Sequence, residues 1–291
     1  MKRIIVIAAV CCLLMAALCG AQAAGDQSYY GQHGTAKFIG GRTVVVSIFA
    51  DDATTSWDFP LSGERQKLYF TIRDRMGIGL EWLEEQTRRY GVKSEFIWDF
   101  DKYDAADGLC HFAQFDEDLI RDGWDGYLAV WNYIRDNIDT PWLLSHYNAD
   151  NIVYAVHLNA PDSDEYRSFT FCANDTDVAD NQIYFEVPVF VPFGHGRENT
   201  PAVYAHEILH CFGAVDLYYA SDAVPQAYVD HLESTRAFDL MNRCYFSDYD
   251  RVTTAFSDVD AYFVGLLDDC GDARKYGLGP NIFQKWGDLA G

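Results

Sequence analysis

The chain has 291 residues, 44 of them acidic and 22 basic, for a formal charge of -22 at pH 7. A field of that sign repels phosphate backbones and anionic lipid surfaces, which argues against nucleic acid and acidic membranes as partners. No internal repeat, low-complexity linker or Pro/Gly/Ser-rich boundary interrupts the sequence, so one continuous domain around one sizeable core is expected.

Residues 1–23 have the pattern of a secretory signal peptide: Lys2 and Arg3, an apolar run over 4–18, and a small-residue exit at Ala21 and Ala23. The run is shorter than the roughly 20 residues a bilayer span needs. No second apolar span follows. The expectation is cleavage before Ala24 and a mature chain, 24–291, that is secreted or periplasmic without stable membrane insertion. Cys11, Cys12 and Cys19 leave with the leader, and Cys110, Cys172, Cys211, Cys244 and Cys270 remain. In an exported chain these predict two disulfides and one buried thiol, with the pairing open.

In chain order, residues 42–50 are rich in β-branched side chains and predict a buried strand. Leu68, Ile72, Met76, Leu80 and Leu83 place a helix over 63–90, with Gly77 and Gly79 as points where it could bend. Strands are expected at 94–100 and 151–158, separated by a helix over 116–138. Strand, helix, strand, helix, strand is the pattern of an α/β fold with a mostly parallel sheet. Residues 181–193 predict a further strand. Pro188 and Pro192 lack the ladder N–H, which assigns that strand to an edge of the sheet. Acidic groups cluster at Asp99, Asp101, Asp104 and Asp107, at Asp162, Asp164 and Glu165, and at Asp175, Asp177 and Asp180. None has the EF-hand spacing, and Ca2+ in one of these loops is a secondary cofactor expectation.

Residues 206–216 read His-Glu-Ile-Leu-His-Cys-Phe-Gly-Ala-Val-Asp. Thr200 is suited to cap a helix, Pro201 to open it and Gly213 to end it, which predicts a helix over 201–212. Positions four apart share a face, so His206 and His210 can share a metal, with Glu207 beside it as a base. Asp216, three residues after the reversing Gly213, can complete a three-ligand site that leaves a position for water. The competing reading of His206 and His210 is a pair of partly buried helix histidines, and Cys211 is expected as a small core residue.

Over about residues 200–243 the chain resembles the metzincin clan of zinc endopeptidases, whose motif is HExxHxxGxxH followed by a methionine-containing turn. It departs in having Asp216 at the third ligand position, as in the snapalysin-like branch. Met241, within 238–243, stands where the methionine turn is expected, 25 residues beyond Asp216. The resemblance implies a secreted zinc metalloendopeptidase acting on polypeptide, with Zn2+ on His206, His210 and Asp216, Glu207 as general base and Met241 packed beneath. It also implies a twisted sheet with an antiparallel edge strand, two long helices, an active-site helix and a C-terminal helical subdomain. The division would fall at about 42–213 and 214–291, with a helix in 256–267. The edge strand, taken as 183–191, would align an extended substrate. An anionic third ligand would leave the activated water less acidic and move the pH optimum up. Tyr245 is the tyrosine nearest the turn, its role open. Two alternatives remain: a thermolysin-like site with Glu233 as third ligand, and a non-catalytic secreted metal-binding protein.

Overall fold

The computed structural model describes residues 36, 38–101, 108–163, 165–171, 186–194 and 196–282. The leader, Cys172, Asp104, Asp107, Asp164 and Asp175 to Asp180, and residues 181–185 of the expected last strand, lie outside the described residues.

A mixed sheet forms the centre. Strand β1 (Gly41–Asp51) is flanked on one side by β2 (Ser94–Ile97) along its first half and β3 (Cys110–Gln114) along its second. On its other side lie in turn β4 (Asn151–Leu158), β6 (Val187–Phe190) and β5 (Phe169–Phe171). All pairings are parallel except β5 with β6. Every residue of β4 is buried, as parallel strands covered on both faces require. A short hairpin, β7 (Phe193–Gly194) with β8 (Arg197–Glu198), follows.

The antiparallel edge strand exists, but it is β5 and not 183–191. Strand β6 is interior, paired to β4 through Val189 and Phe190 and to β5 through residues 187–189. The prolines are accommodated because the β4 pairing begins after Pro188, while Pro192 lies past the strand end.

Helix α1 (Gly63–Arg89) turns Ile72, Met76, Leu80 and Leu83 to the core. Its glycines serve close approach: a Cβ at Gly79 would sit 2.5 Å from the Pro201 carbonyl oxygen, and one at Gly77 would strike Trp98. The second predicted helix is shorter than expected. Helix α2 (Trp124–Asn137) starts only after a turn in which Asp118 accepts from the Ile120 and Arg121 N–H groups and Gly123 has φ 56°. Helix α3 (Thr140–Tyr147), α4 (Pro201–His210) and α5 (Gln226–Thr235) follow. The C-terminal part adds α6 (Leu240–Arg243), a 3-10 turn at Cys244–Phe246, α7 (Asp258–Phe263) and α8 (Gly271–Tyr276). The expected helix over 256–267 is thus the six-residue α7, stopped by Gly265 at φ 77°. One buried cluster runs from Ala36 to Ala273 and joins the sheet to the C-terminal helices. Among the described residues no helix is long and apolar enough to cross a membrane.

The two expected disulfides are not formed. Cys110, Cys211, Cys244 and Cys270 are free thiols. Each has separate surroundings: Cys110 Sγ meets the Tyr69 hydroxyl at 3.7 Å, Cys211 Sγ points to the Glu186 carbonyl, and Cys270 Sγ caps α8 at Ala273 N.

Candidate metal centre

Helix α4 is buried from Pro201 to Leu209 and packs against α1 where Gly79 removes the obstructing side chain. Thr200 has the extended backbone of an N-cap, but its hydroxyl donates to the Cys244 carbonyl at 3.1 Å instead of capping the helix. That bond ties the start of the helix to the segment after Met241. At the other end Gly213, at φ 94°, lets the chain turn back, with Gly213 N on His210 O and Ala214 N on Leu209 O.

The reversal brings Asp216 to the two histidines. Asp216 Oδ1 lies 3.2 Å from His206 Nε2 and 3.3 Å from His210 Nε2, and the two rings stand nearly perpendicular with centroids 4.9 Å apart. His206 Nδ1 faces the Leu240 carbonyl at 3.1 Å and His210 Nδ1 faces the Ala214 carbonyl at 2.9 Å. A carbonyl only accepts, so each Nδ1 carries the proton and each Nε2 presents its lone pair inward. Three acceptors therefore face one another. Asp216 Oδ1 is accordingly buried without a hydrogen-bond partner.

This group is the only one among the described residues with three side chains able to hold a metal ion together, and a cation fits it. The acidic loops proposed for calcium assemble no such group in their described parts. Electrostatics agree: burial opposes ionisation of Asp216, but the His206 and His210 imidazoles hold it well below the usual carboxylate range. Burial likewise opposes charge on His206, yet Cys244, Asp216 and Glu207 raise it well above its ordinary value. Without a cation His206 holds a second proton more readily while Asp216 stays ionised.

Glu207 is buried, its Oε1 4.0 Å from His206 Nε2. The Thr170 hydroxyl on edge strand β5 lies 2.9 Å from both Glu207 Oε2 and the Glu207 carbonyl oxygen. Met241 is fully buried and serves the centre through its backbone. Its carbonyl accepts from Leu217 N at 3.0 Å, one residue past Asp216, while the adjacent Leu240 carbonyl holds His206. Asp239 Oδ1 caps this turn at Met241 N, 2.8 Å away.

Glu233 is exposed on α5 and lies outside the group that His206, His210 and Asp216 form. The thiol beside His206 is Cys244, while Cys211 is a core residue. Sequence reasoning missed Tyr218, two residues after Asp216, whose ring stacks toward His206 at 6.5 Å. Burial, then Asp216, pushes the Tyr218 hydroxyl up, and burial with Cys244 and Glu207 does the same to Tyr245. Both phenols stay protonated donors. A cavity of about 450 Å³ opens beside His206 and Glu207, with Tyr218 and Tyr245 in its wall.

Comparison with protein-family models found no match, and comparison with curated proteins found none at a significant level.

Proposed function

We propose that the protein is an exported zinc endopeptidase of metzincin type, acting on extended polypeptide with His206, His210 and Asp216 as metal ligands and Glu207 as general base. The observation that carries this reading is the convergence of three acceptors, two Nε2 and Asp216 Oδ1, with a buried carboxylate one residue away at a cavity. Two imidazoles and a carboxylate suit zinc, and three protein ligands are the pattern of a catalytic site, where a structural one takes four.

When bound, zinc supplies a Lewis acid that makes water nucleophilic near neutral pH and polarises the scissile carbonyl. Glu207 accepts the proton of the attacking water and returns it to the leaving amine. Thr170 holds the Glu207 carboxylate in position through Oε2. The protonated Tyr245 and Tyr218 hydroxyls are donors available to the charge that develops on the substrate oxygen. Among the described residues strand β5 pairs only with β6 in the sheet, and Thr170 at its centre touches Glu207. An extended peptide adding to the outer side of β5 therefore runs beside the base, and its backbone supplies affinity with little demand on sequence.

The test is zinc analysis of purified 24–291 together with digestion of denatured protein, with and without chelator. We expect about one zinc per chain, internal cleavage abolished by chelation and restored by zinc, and a Glu207→Ala protein that keeps zinc but loses hydrolysis. Trimming of chain ends alone, or full activity in Glu207→Ala, overturns the proposal.

A further inference from the structure

The cavity beside Glu207 differs in charge from the rest of the molecule. The chain has twice as many acidic as basic residues, yet Arg167, Arg197 and Arg243 all line this one cavity, and among the described residues Glu207 is the acidic group that lines it. They come from three separate segments: just before β5, on β8, and at the end of α6. Several arginines elsewhere are taken up by carboxylates, as Arg73 is by Asp74 and Asp101, and Arg75 by Glu198, although among the described residues Arg88, Arg89 and Arg236 are not. Among the described residues, the three cavity arginines form no salt bridge; Arg243 lies over the Phe238 ring, 5.9 Å from its centroid. Asn242 lines the same cavity, and its Nδ2 is buried without a hydrogen-bond partner. Guanidinium groups and an amide donor lacking an acceptor complement a carboxylate, whose two oxygens match the planar guanidinium fork.

The long-range charge works in the opposite direction. At -22 the molecule repels polyanionic chains, while at physiological salt interactions between exposed charges are largely screened beyond roughly 8 Å. Attraction by the arginines is therefore local. It selects one carboxylate at the cavity and does not favour an acidic tract.

We infer that this cavity is a carboxylate subsite beside the scissile bond, receiving an aspartate or glutamate side chain or the C-terminal carboxylate of the substrate. The inference rests on the peptidase reading for what happens to the bound peptide, and on the arginines for the binding itself.

The test uses the zinc-loaded mature chain and peptides with one cleavable bond flanked by Glu, Gln or Lys, each made as C-terminal acid and as amide. Cleavage is measured as kcat/KM on the wild type, and binding as Kd on the Glu207→Gln protein. Glu should exceed Gln, or acid exceed amide, by about tenfold or more in both measurements. Which pair shows the preference identifies the source of the carboxylate. The preference should collapse toward one in Arg167→Gln/Arg243→Gln, and Arg243→Glu should shift it toward Lys. Equal values for Glu and Gln and for acid and amide overturn the subsite while leaving the peptidase reading intact. Discrimination in binding with no cleavage of any peptide does the reverse.

Discussion

Asp239 and Asp260 are buried carboxyl groups close enough to influence each other's charge, and Asp239 Oδ2 and Asp260 Oδ1 are buried without a hydrogen-bond partner. Burial, only partly offset by hydrogen bonds from Ser257 and Met241 N, pushes Asp239 up to about 6. Burial and then the Asp239 charge push Asp260 well above the ordinary range. The folded protein thus keeps protons that the unfolded chain releases near pH 4. The sign follows: stability from the pair is fully present below that pH and is lost as pH rises through about 6 and beyond. A rise from 3.8 to about 6 at Asp239 corresponds to about 3 kcal/mol. Asp260→Asn removes one charge and keeps an acceptor for Ser257 N, which Asp260 Oδ2 meets at 3.0 Å. Urea unfolding in chelator should show the wild type losing more than about 3 kcal/mol between pH 3.5 and 8, and the variant losing only the Asp239 share, on the order of 3 kcal/mol. His206, raised in the metal-free protein, loses stabilisation in the same direction but is common to both chains. Parallel curves for the two proteins would refute the reasoning.

Three further perturbations address the parts around the centre. Gly79→Ala sets a Cβ 2.5 Å from the Pro201 carbonyl oxygen, so the α1–α4 contact must open; thermal unfolding should reveal a loss of about 1–3 kcal/mol together with weaker zinc retention, and an unchanged Tm would contradict this packing. Thr170→Val removes the hydroxyl from Glu207 Oε2 and should lower kcat several-fold with KM and zinc content little changed, Thr170→Ser restoring it; equal kcat in the valine variant would remove Thr170 from positioning the base. Met241→Leu leaves the backbone bonds of the turn in place and should keep zinc at a cost below about 1.5 kcal/mol, whereas complete metal loss would make the thioether a ligand.

Local patterns carried far in this chain, and long-range ones did not. The stripe Ile72, Met76, Leu80 and Leu83 defines α1 by itself, and the β-branched run within β1 marks a doubly covered strand. His206, Glu207, His210 and Asp216 are close in sequence, so helix periodicity and one glycine turn suffice to bring them together. Strand β3, Cys-His-Phe-Ala-Gln, has no β-branched residue and exists because β1 offers it a parallel partner. The prolines do not confine β6 to an edge, because a missing N–H excludes a bond at one position and leaves neighbours on both sides possible. Thr170 reaches Glu207 across 37 residues, and Arg167, Arg197 and Arg243 meet only through the packing of three segments. No spacing rule joins such positions. Cysteine counting failed for the same reason, since parity says nothing of whether thiols in separate elements meet.

The proposed function depends on a zinc ion held by His206, His210 and Asp216. Crystals of the zinc-loaded chain measured on both sides of the zinc absorption edge test it most directly. The account predicts one strong anomalous peak at the group, within about 2.0–2.2 Å of His206 Nε2, His210 Nε2 and an Asp216 oxygen. A peak that omits Asp216, or one held by other residues with this group empty, would contradict it.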